Sequence, residues 1–481
     1  MKIRSLVPVF FAAWLGGATN SCWSFSDPTY GASAGAAGVT PPDNSGASPS
    51  GDSDGTDPSQ PGGSTTDGNV GAVDNAGSAG AGNSGSSDTP GNSEVSSPTT
   101  PLDPAGGDTP GGDSAGAAGN SSGTPGASDP PDDTPAAPRT PCEILEAGGQ
   151  PCVAAHSTTR VVFGGYTGPL YQVCRGASAP GPNSCPGGVT LDIGSIEGGY
   201  ADSAAQDAFC GGGNCTISII YDQSGSGNFL KPAPAGGAKP TPDNPANAAD
   251  LKTTLAGHSV YGVFIRVGMG YRAGCTGCGT PEPIGTAVGD EPETMYMVTS
   301  ANGLVNGCCF DYGNGETTSR DDGNGTMEAL YFGGGVVWGT GSPGGHDNGP
   351  WVMADLENGL YAGWENNQDQ GISSNTPLRL PFVTGVVVGD TADRNGGRGR
   401  FAIYGGNATI GTLKTLYDGI RPEKPGYVPM QKQGSIILGI GGDNSGSGAG
   451  QWFEGVMASG AASKATVDAL QANIIAAGYG K

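Results

Sequence analysis

What most limits how this chain can fold is the uneven placement of its aromatic residues. Of the 117 residues from 24 to 140, Phe25 and Tyr30 are the aromatics, whereas the 341 residues from 141 to 481 hold 27. A segment so poor in large apolar side chains cannot bury enough surface to offset the entropy of ordering it, so any packed core must lie after residue 140. The same segment carries 15 acidic residues against Arg139 as its one basic residue, along with 16 prolines. Self-repulsion and proline stiffness predict an extended, disordered linker over residues 23–140. Low complexity also produces false motifs. Gly31-Ala-Ser-Ala-Gly35, Gly51-Asp-Ser-Asp-Gly55 and Gly112-Asp-Ser-Ala-Gly116 match G-x-S-x-G but lack the strand-to-helix turn that a nucleophile elbow needs. Asp52-Ser-Asp54-Gly-Thr-Asp57 lacks the closing glutamate of a calcium loop.

Upstream of the linker, Lys2 and Arg4 precede an apolar stretch at 6–15 that is too short to span a bilayer, so residues 1–22 read as an export signal. Two outcomes stay open for Cys22: acylation as a lipoprotein residue, which would attach the chain to a membrane, or removal with the leader. Thr19 is a poor match to the usual lipoprotein site. The expected location is extracellular or at the cell surface, as an outer-membrane lipoprotein if Cys22 is acylated. With 21 Lys and Arg against 45 Asp and Glu, the net charge of −24 argues against a nucleic-acid partner. A neutral extracellular polymer fits it better.

Residues 141–481 read as an all-β domain. Runs of β-branched and aromatic residues at 260–266, 294–299, 329–332, 382–388, 400–404 and 435–440 are separated by Gly, Asn, Asp and Pro clusters. Helical patterning is confined to 203–209 and the tail at 463–477. Many short strands with rich turns imply a sandwich or a barrel. The 11 cysteines, in an exported chain, point to disulfides. With Cys22 set aside, near neighbours suggest Cys142–Cys152, Cys174–Cys185, Cys210–Cys215, Cys275–Cys278 and Cys308–Cys309, although sequence alone does not fix connectivity. Zinc is the competing reading of Cys275-Thr-Gly-Cys278, but His156, His258 and His346 are at no finger-like spacing from it. A bond between adjacent Cys308 and Cys309 would close a small ring, an uncommon choice for a mere staple; the alternative is that both cysteines pair elsewhere or stay buried.

Ordered blocks then bring a family into view. They are Cys142-Glu-Ile-Leu-Glu-Ala-Gly-Gly-Gln-Pro-Cys152, Leu170-Tyr-Gln-Val, Ala205-Gln-Asp-Ala-Phe-Cys210, Ile219-Ile-Tyr-Asp-Gln-Ser-Gly225, Cys308-Cys-Phe-Asp-Tyr-Gly-Asn314, Trp351-Val-Met-Ala-Asp-Leu-Glu-Asn358 and Ile437-Leu-Gly-Ile-Gly-Gly-Asp-Asn-Ser445. Together they resemble the catalytic domain of the α-L-arabinofuranosidases of glycoside hydrolase family 54, over the whole of 141–481. The resemblance implies a concanavalin-like jelly-roll β-sandwich that hydrolyses terminal α-L-arabinofuranosyl groups with retention of configuration. It implies Glu357 as nucleophile and Asp443 as general acid/base, with Cys308, Cys309, Trp338, Asp355, Asn358 and Gly442 contacting the sugar. No cofactor and no metal are expected, the substrate is an arabinose-containing plant polysaccharide such as arabinan or arabinoxylan, and the protein is expected to be a monomer.

Elementary chemistry agrees with those roles. Retention needs one carboxylate to attack the anomeric carbon and one carboxyl to protonate the leaving oxygen. On this scheme Glu357 should stay ionised, while Asp443 should have its pKa raised by desolvation or a neighbouring charge. If 352–357 is extended, Met353, Asp355 and Glu357 share one face. The glycines around Asp443 suit close approach to a sugar better than a phosphate loop, which would want a following lysine and helix; calcium at Asp443 and Asn444 is a weaker alternative. This chain departs from the family pattern in several places. Fungal members usually carry an arabinose-binding β-trefoil after the catalytic domain, and this sequence ends at Lys481, so a bacterial member without that module is expected. Cys174, Cys185, Cys275 and Cys278 have no counterpart in the fungal pattern, and Gly359 stands where a second Asn is common. The rival reading from another class is a non-catalytic surface lectin or adhesin on the same fold.

Overall fold

Strands this rich in β-branched and aromatic residues pair with one another, and the computed structural model is built mainly of β-sheet. It describes residues 140–276, 280–334, 349–363 and 375–481. The expected leader, the linker and Cys22 lie outside these residues. Two seven-stranded sheets dominate. The first runs in the order Cys152–Ser157, Ala449–Ser459, Glu293–Val305, Val383–Asp390, Arg400–Asn407 and Lys414–Gly419, with Val263–Ile265 also paired to Ala449–Ser459. The second runs Leu360–Tyr361, Trp351–Asp355, Glu328–Gly333, Asp311–Gly315, Ser435–Leu438, Tyr271–Ala273 and Lys231–Pro232. Neighbouring strands are antiparallel in both.

The sheets pack face to face through their central strands, giving a β-sandwich. Leu330 and Val352 of the second sheet reach the first at Gly385, where an added Cβ would lie 3.2–3.3 Å from both side chains. The strands Asp311–Gly315, Glu328–Gly333 and Trp351–Asp355 are buried at every position. Neither face of these strands therefore meets bulk solvent, and Asp311, Asn314, Glu328 and Asp355 are buried with their apolar neighbours. Buried polar groups need partners, so these four mark where the sandwich holds something other than a plain core.

Most expected elements are found. The stretch read as one strand over 260–266 divides into His258–Tyr261 and Val263–Ile265. Gly262 interrupts it, with its amide donating to Leu251 O at 2.9 Å. The helices Ser203–Cys210 and Lys464–Ala477 are capped by Asp202 and Ser463 and end on left-handed Gly211 and Gly478. Helix Pro141–Ala147 was not anticipated, yet Thr140-Pro-Cys-Glu143 carries the capping-box signature with proline at the first helical position. Disulfides join Cys142 to Cys152, Cys174 to Cys185, Cys210 to Cys215 and Cys308 to Cys309. Cys275 is disulfide-bonded; its expected partner Cys278 lies outside the described residues.

A buried charged group fixes the strand that leads into the site. Lys432 Nζ sits 2.9 Å from Glu328 and 3.1 Å from Glu293, and it donates to Glu291 O at 2.6 Å. Asn314 donates to both Glu293 oxygens at 3.3 Å and to Ala287 O at 2.8 Å, while its own oxygen accepts from the Gly434 amide at 2.8 Å. Replacing Lys432 with Met would strand two carboxylates in a dry interior. Lys432→Met is expected to lower the unfolding free energy by about 3–5 kcal/mol, the cost of breaking a buried ion pair from one side, measured by urea titration at neutral pH.

Candidate active site

The second sheet ends, on one side, in a hairpin whose turn carries an acid. Strand Trp351–Asp355 pairs with Leu360–Tyr361, leaving 356–359 as the connection. Glu357 and Asn358 in that turn have φ of 61° and 56°. The expectation that 352–357 is extended therefore fails after Asp355, and period two does not align Glu357 with it. A left-handed glutamate costs roughly 1–2 kcal/mol of backbone strain, and two contacts hold it there. The Glu357 amide donates to Asp355 Oδ1 at 3.2 Å, and the Tyr427 hydroxyl donates to Glu357 O at 2.8 Å. Asn358 is tied to the rim by a 3.1 Å bond from its amide to Asp321 Oδ1.

A second turn brings in the other expected acid. Following strand Ser435–Leu438, the backbone doubles back through 441–445, where the Gly441 amide donates to Ser445 O at 2.9 Å. The Ser445 amide donates to Asp443 Oδ1 at 2.9 Å, and Ala238 N donates to Asp443 O at 3.0 Å. Next in the chain, Asn444 donates to Asp243 Oδ2 at 2.9 Å and Pro234 O at 3.0 Å. Gly442 has a packing reason to be glycine: a Cβ there would overlap the Glu316 carboxylate.

Cys308 and Cys309 are bonded to each other across a cis peptide, with Cα atoms 2.9 Å apart. Cys309 rests in a small apolar cluster with Tyr331, Trp351, Met353, Leu360 and Ala362. Ser445 Oγ lies 3.4 Å from Cys308 Sγ, and Asp355 Oδ2 lies 3.3 Å from Cys309 Sγ. A disulfide sulfur has no proton to give, so the latter contact is a hydrogen bond when Asp355 is protonated. The disulfide thus joins the Asp355 hairpin to the Asp443 turn.

The structure adds two acids that sequence reasoning missed. Asp311 and Glu316 flank the ends of strand Asp311–Gly315, and both are fully buried. Asp311 pairs with the Asp355 carboxyl, and Glu316 with the Glu357 carboxyl. Thr326 Oγ1 donates to Glu316 Oε1 at 2.7 Å. Beneath them Arg272, also fully buried, donates to Glu316 O at 2.6 Å, Ser435 Oγ at 3.0 Å and Gly441 O at 3.3 Å, with a short bond to Gly442 O. Asp311 does fall in one of the blocks that signalled the family, but nothing in that block distinguished it from a solvated acid.

Electrostatics follow from this crowding. Burial pushes Glu357 well above the ordinary carboxylate range, and the Glu316, Asp355 and Asp443 charges add to the effect. The expectation of a simply ionised Glu357 gives way for that reason. Burial likewise raises Glu316 and Asp355 to about 7 each, and raises Asp311 well above its usual value with Asp355 as the next cause. Arg272 is lowered to about 10 by burial, against the pull of Glu316, Asp443, Asp243 and Glu357. Of the residues expected to meet a sugar, Cys308, Cys309, Asp355, Glu357, Asn358, Gly442 and Asp443 belong to this one connected group, and Trp338 lies outside the described residues.

Residues 141–480 match the family model described as Alpha-L-arabinofuranosidase B, catalytic. The chain belongs to this family. It is 50% identical over 343 residues to an arabinofuranosidase/β-xylosidase of Trichoderma koningii, covering 70% of this chain and 63% of the relative. It is also 50% identical over 344 residues to a probable α-L-arabinofuranosidase B of Aspergillus fumigatus, covering 70% and 62%. A crystal structure of an arabinofuranosidase complexed with arabinofuranosyl-α-1,2-xylobiose is similar, at 44% identity and a TM-score of 0.62 over 71% of this chain and 65% of that one. So is a glycoside hydrolase family 54 α-L-arabinofuranosidase soaked with a cyclic sulfate inhibitor, at the same identity and TM-score over 71% and 66%. The chain spans less than two thirds of the length of these relatives. The two relatives named are fungal and lend no support to the expected bacterial source.

The raised carboxyls predict how stability depends on pH. Glu316 and Asp355 move up from ordinary values of 4.5 and 3.8 to about 7. Between those limits the folded protein holds protons that the unfolded chain has released, so stability falls as pH rises through the window. Urea midpoints should therefore be lower at about pH 8 than at about pH 5, and Asp355→Asn should reduce the difference.

Proposed function

We propose that this chain is an exported, retaining α-L-arabinofuranosidase that removes terminal non-reducing α-L-arabinofuranosyl residues from arabinan or arabinoxylan. The observation carrying this reading is the connected group of Glu357, Asp355, Asp443 and the Cys308–Cys309 disulfide in a chain of the α-L-arabinofuranosidase B catalytic family. Glu357 attacks the anomeric carbon while Asp443 protonates the departing oxygen; Asp443 then takes a proton from the water that releases the sugar. Asp355, Asn358 and Gly442 hold sugar hydroxyls, and the disulfide offers the furanose a rigid apolar surface. The reading includes a jelly-roll form for the sandwich, a leader over 1–22, a linker over 23–140 that holds the domain away from its point of attachment, and action as a monomer. Cys22 is the point of attachment if it is acylated.

Glu357→Gln and Asp443→Asn should both remain folded and lose release of arabinose from an aryl arabinofuranoside, the second by about 10²–10⁴-fold, the worth of a positioned general acid. Proton NMR of early product should show the α-anomer first. Wild-type turnover in either variant would sink the assignment, as would an initial β-anomer for the retaining mechanism. Arabinan binding by the wild-type protein with no hydrolysis would favour a lectin.

A further inference from the structure

Glu316 and Asp311 are the acids in this group to which the mechanism assigns no task, and Glu316 is the one that meets Glu357. Its position is constrained on every side. It directly follows strand Asp311–Gly315 and is fully buried, with its backbone carbonyl held by Arg272 at 2.6 Å. Oε1 accepts from Thr326 at 2.7 Å. Oε2 lies against Gly442 so closely that a Cβ there would overlap it, and no fixed donor reaches it. The Gly325 amide donates to Leu356 O at 2.8 Å, which sets Thr326 and the Glu316 it holds beside the Glu357 turn, and the Glu357 carboxyl is the acid hydrogen-bonded to Glu316. Two carboxylates cannot bond to each other without a proton between them.

We propose that Glu316 is a positioning residue for Glu357: the two carboxyls share one proton, which passes to Glu316 when Glu357 attacks and leaves Glu357 an anion held by the Glu316 hydroxyl. The transfer breaks an O–H bond on Glu357 and forms one on Glu316, with no proton taken from solvent. The inference rests on the reading of Glu357 as nucleophile. Other titratable groups facing the pair are Asp355 from strand Trp351–Asp355, Asp443 from the turn at 441–445, Arg272 from strand Tyr271–Ala273, and Tyr427. Asp355 and Asp443 raise the proton affinity of the pair, and Arg272 lowers it. Protonated Glu316 is neutral and a donor, so it can aim Glu357 without repelling it.

The test compares Glu316→Gln with Glu316→Leu on an aryl arabinofuranoside across pH. An amide donates much as a protonated carboxyl does, whereas leucine fills the volume and donates nothing. Glu316→Gln should be at least about tenfold more active than Glu316→Leu, and Glu316→Leu should move the acidic limb of kcat/KM up by about one pH unit, because Glu357 loses the donor that favours its ionised form. A merely structural Glu316 would change melting temperature in both variants and leave that limb in place. An unmoved limb in folded Glu316→Leu, or folded Glu316→Gln as inactive as Glu316→Leu, overturns the proposal. A measurement that needs no change at residue 316 stands beside it. The infrared difference between wild type and Glu357→Gln at mildly acidic pH should carry the carbonyl band of one protonated carboxyl lost from the wild type, and its absence also overturns the sharing. An active wild type with no such band refutes the Glu316 proposal alone; a wild type that releases no arabinose refutes the nucleophile reading on which it rests.

Discussion

The buried guanidinium of Arg272 is the constraint on which the site depends. Its hydrogen bonds go to the backbone carbonyls of Glu316, Gly441 and Gly442 and to the Ser435 hydroxyl, and none of these is to a carboxylate. That choice matters physically. A direct Arg–carboxylate fork would pull the acid's pKa down by one to three units and fix it as an anion with its lone pairs occupied. By gripping the chain beneath Glu316 and Asp443 instead, Arg272 sets the spacing of two acid-bearing segments and supplies positive charge at one remove. Glu316 keeps the raised proton affinity that its burial gives it. Arg272 comes from a strand with Ser435–Leu438 as its neighbour in the sheet, so the grip is referred to the rigid sandwich and not to a loop.

The hairpin that carries Glu357 shows a complementary use of strain. Continuing the strand would have put Glu357 on the Asp355 face at little conformational cost. A left-handed turn of two residues lifts it out of the sheet instead, where Asp355 and Tyr427 can fix both of its peptide groups. Strain of this kind persists only where surrounding contacts over-determine it. Here those contacts come from the same hairpin and from the loop bearing Tyr427, so the turn is built by the surroundings and not by the propensity of its own residues.

That distinction explains how much was legible in the sequence. The strands at 294–299, 329–332 and 400–404 announced themselves because β-branched and aromatic side chains have few other places to go. The disulfides among the described residues followed from loop length, and the helix at 463–477 from its pattern. Period two misplaced Glu357, because a strand ending at Asp355 is decided by hydrogen bonds to distant residues. Asp311 and Glu316 were invisible for a related reason: an acid buried by tertiary packing has the same letters around it as one in water. Their burial follows from a strand covered on both faces, which becomes apparent once the sheets are stacked. Family resemblance pointed to Glu357 and Asp443 but said nothing about the buried acids beside them.

Charge arithmetic then accounts for why the acids come in hydrogen-bonded pairs. Two like charges about 4 Å apart repel by about 4 kcal/mol at an effective dielectric constant near 20, and each pKa unit is worth about 1.4 kcal/mol. One such neighbour would raise a carboxyl by about three units; at Asp355, which rises from 3.8 to about 7, burial is the largest cause and the Glu316 and Asp443 charges add to it. Packing Asp311, Asp355, Glu316, Glu357 and Asp443 over a single guanidinium would be prohibitive if all were ionised. Sharing a proton within Asp311–Asp355 and another within Glu316–Glu357 removes the worst repulsions and leaves residual negative charge in the cleft. In the proposed reaction an oxocarbenium-like transition state would develop positive charge where a neutral furanose had none, and that residue of charge would favour the transition state over the ground state. On that reading the pairs would allow an acid density high enough to stabilise the cation without unfolding the sandwich that holds it.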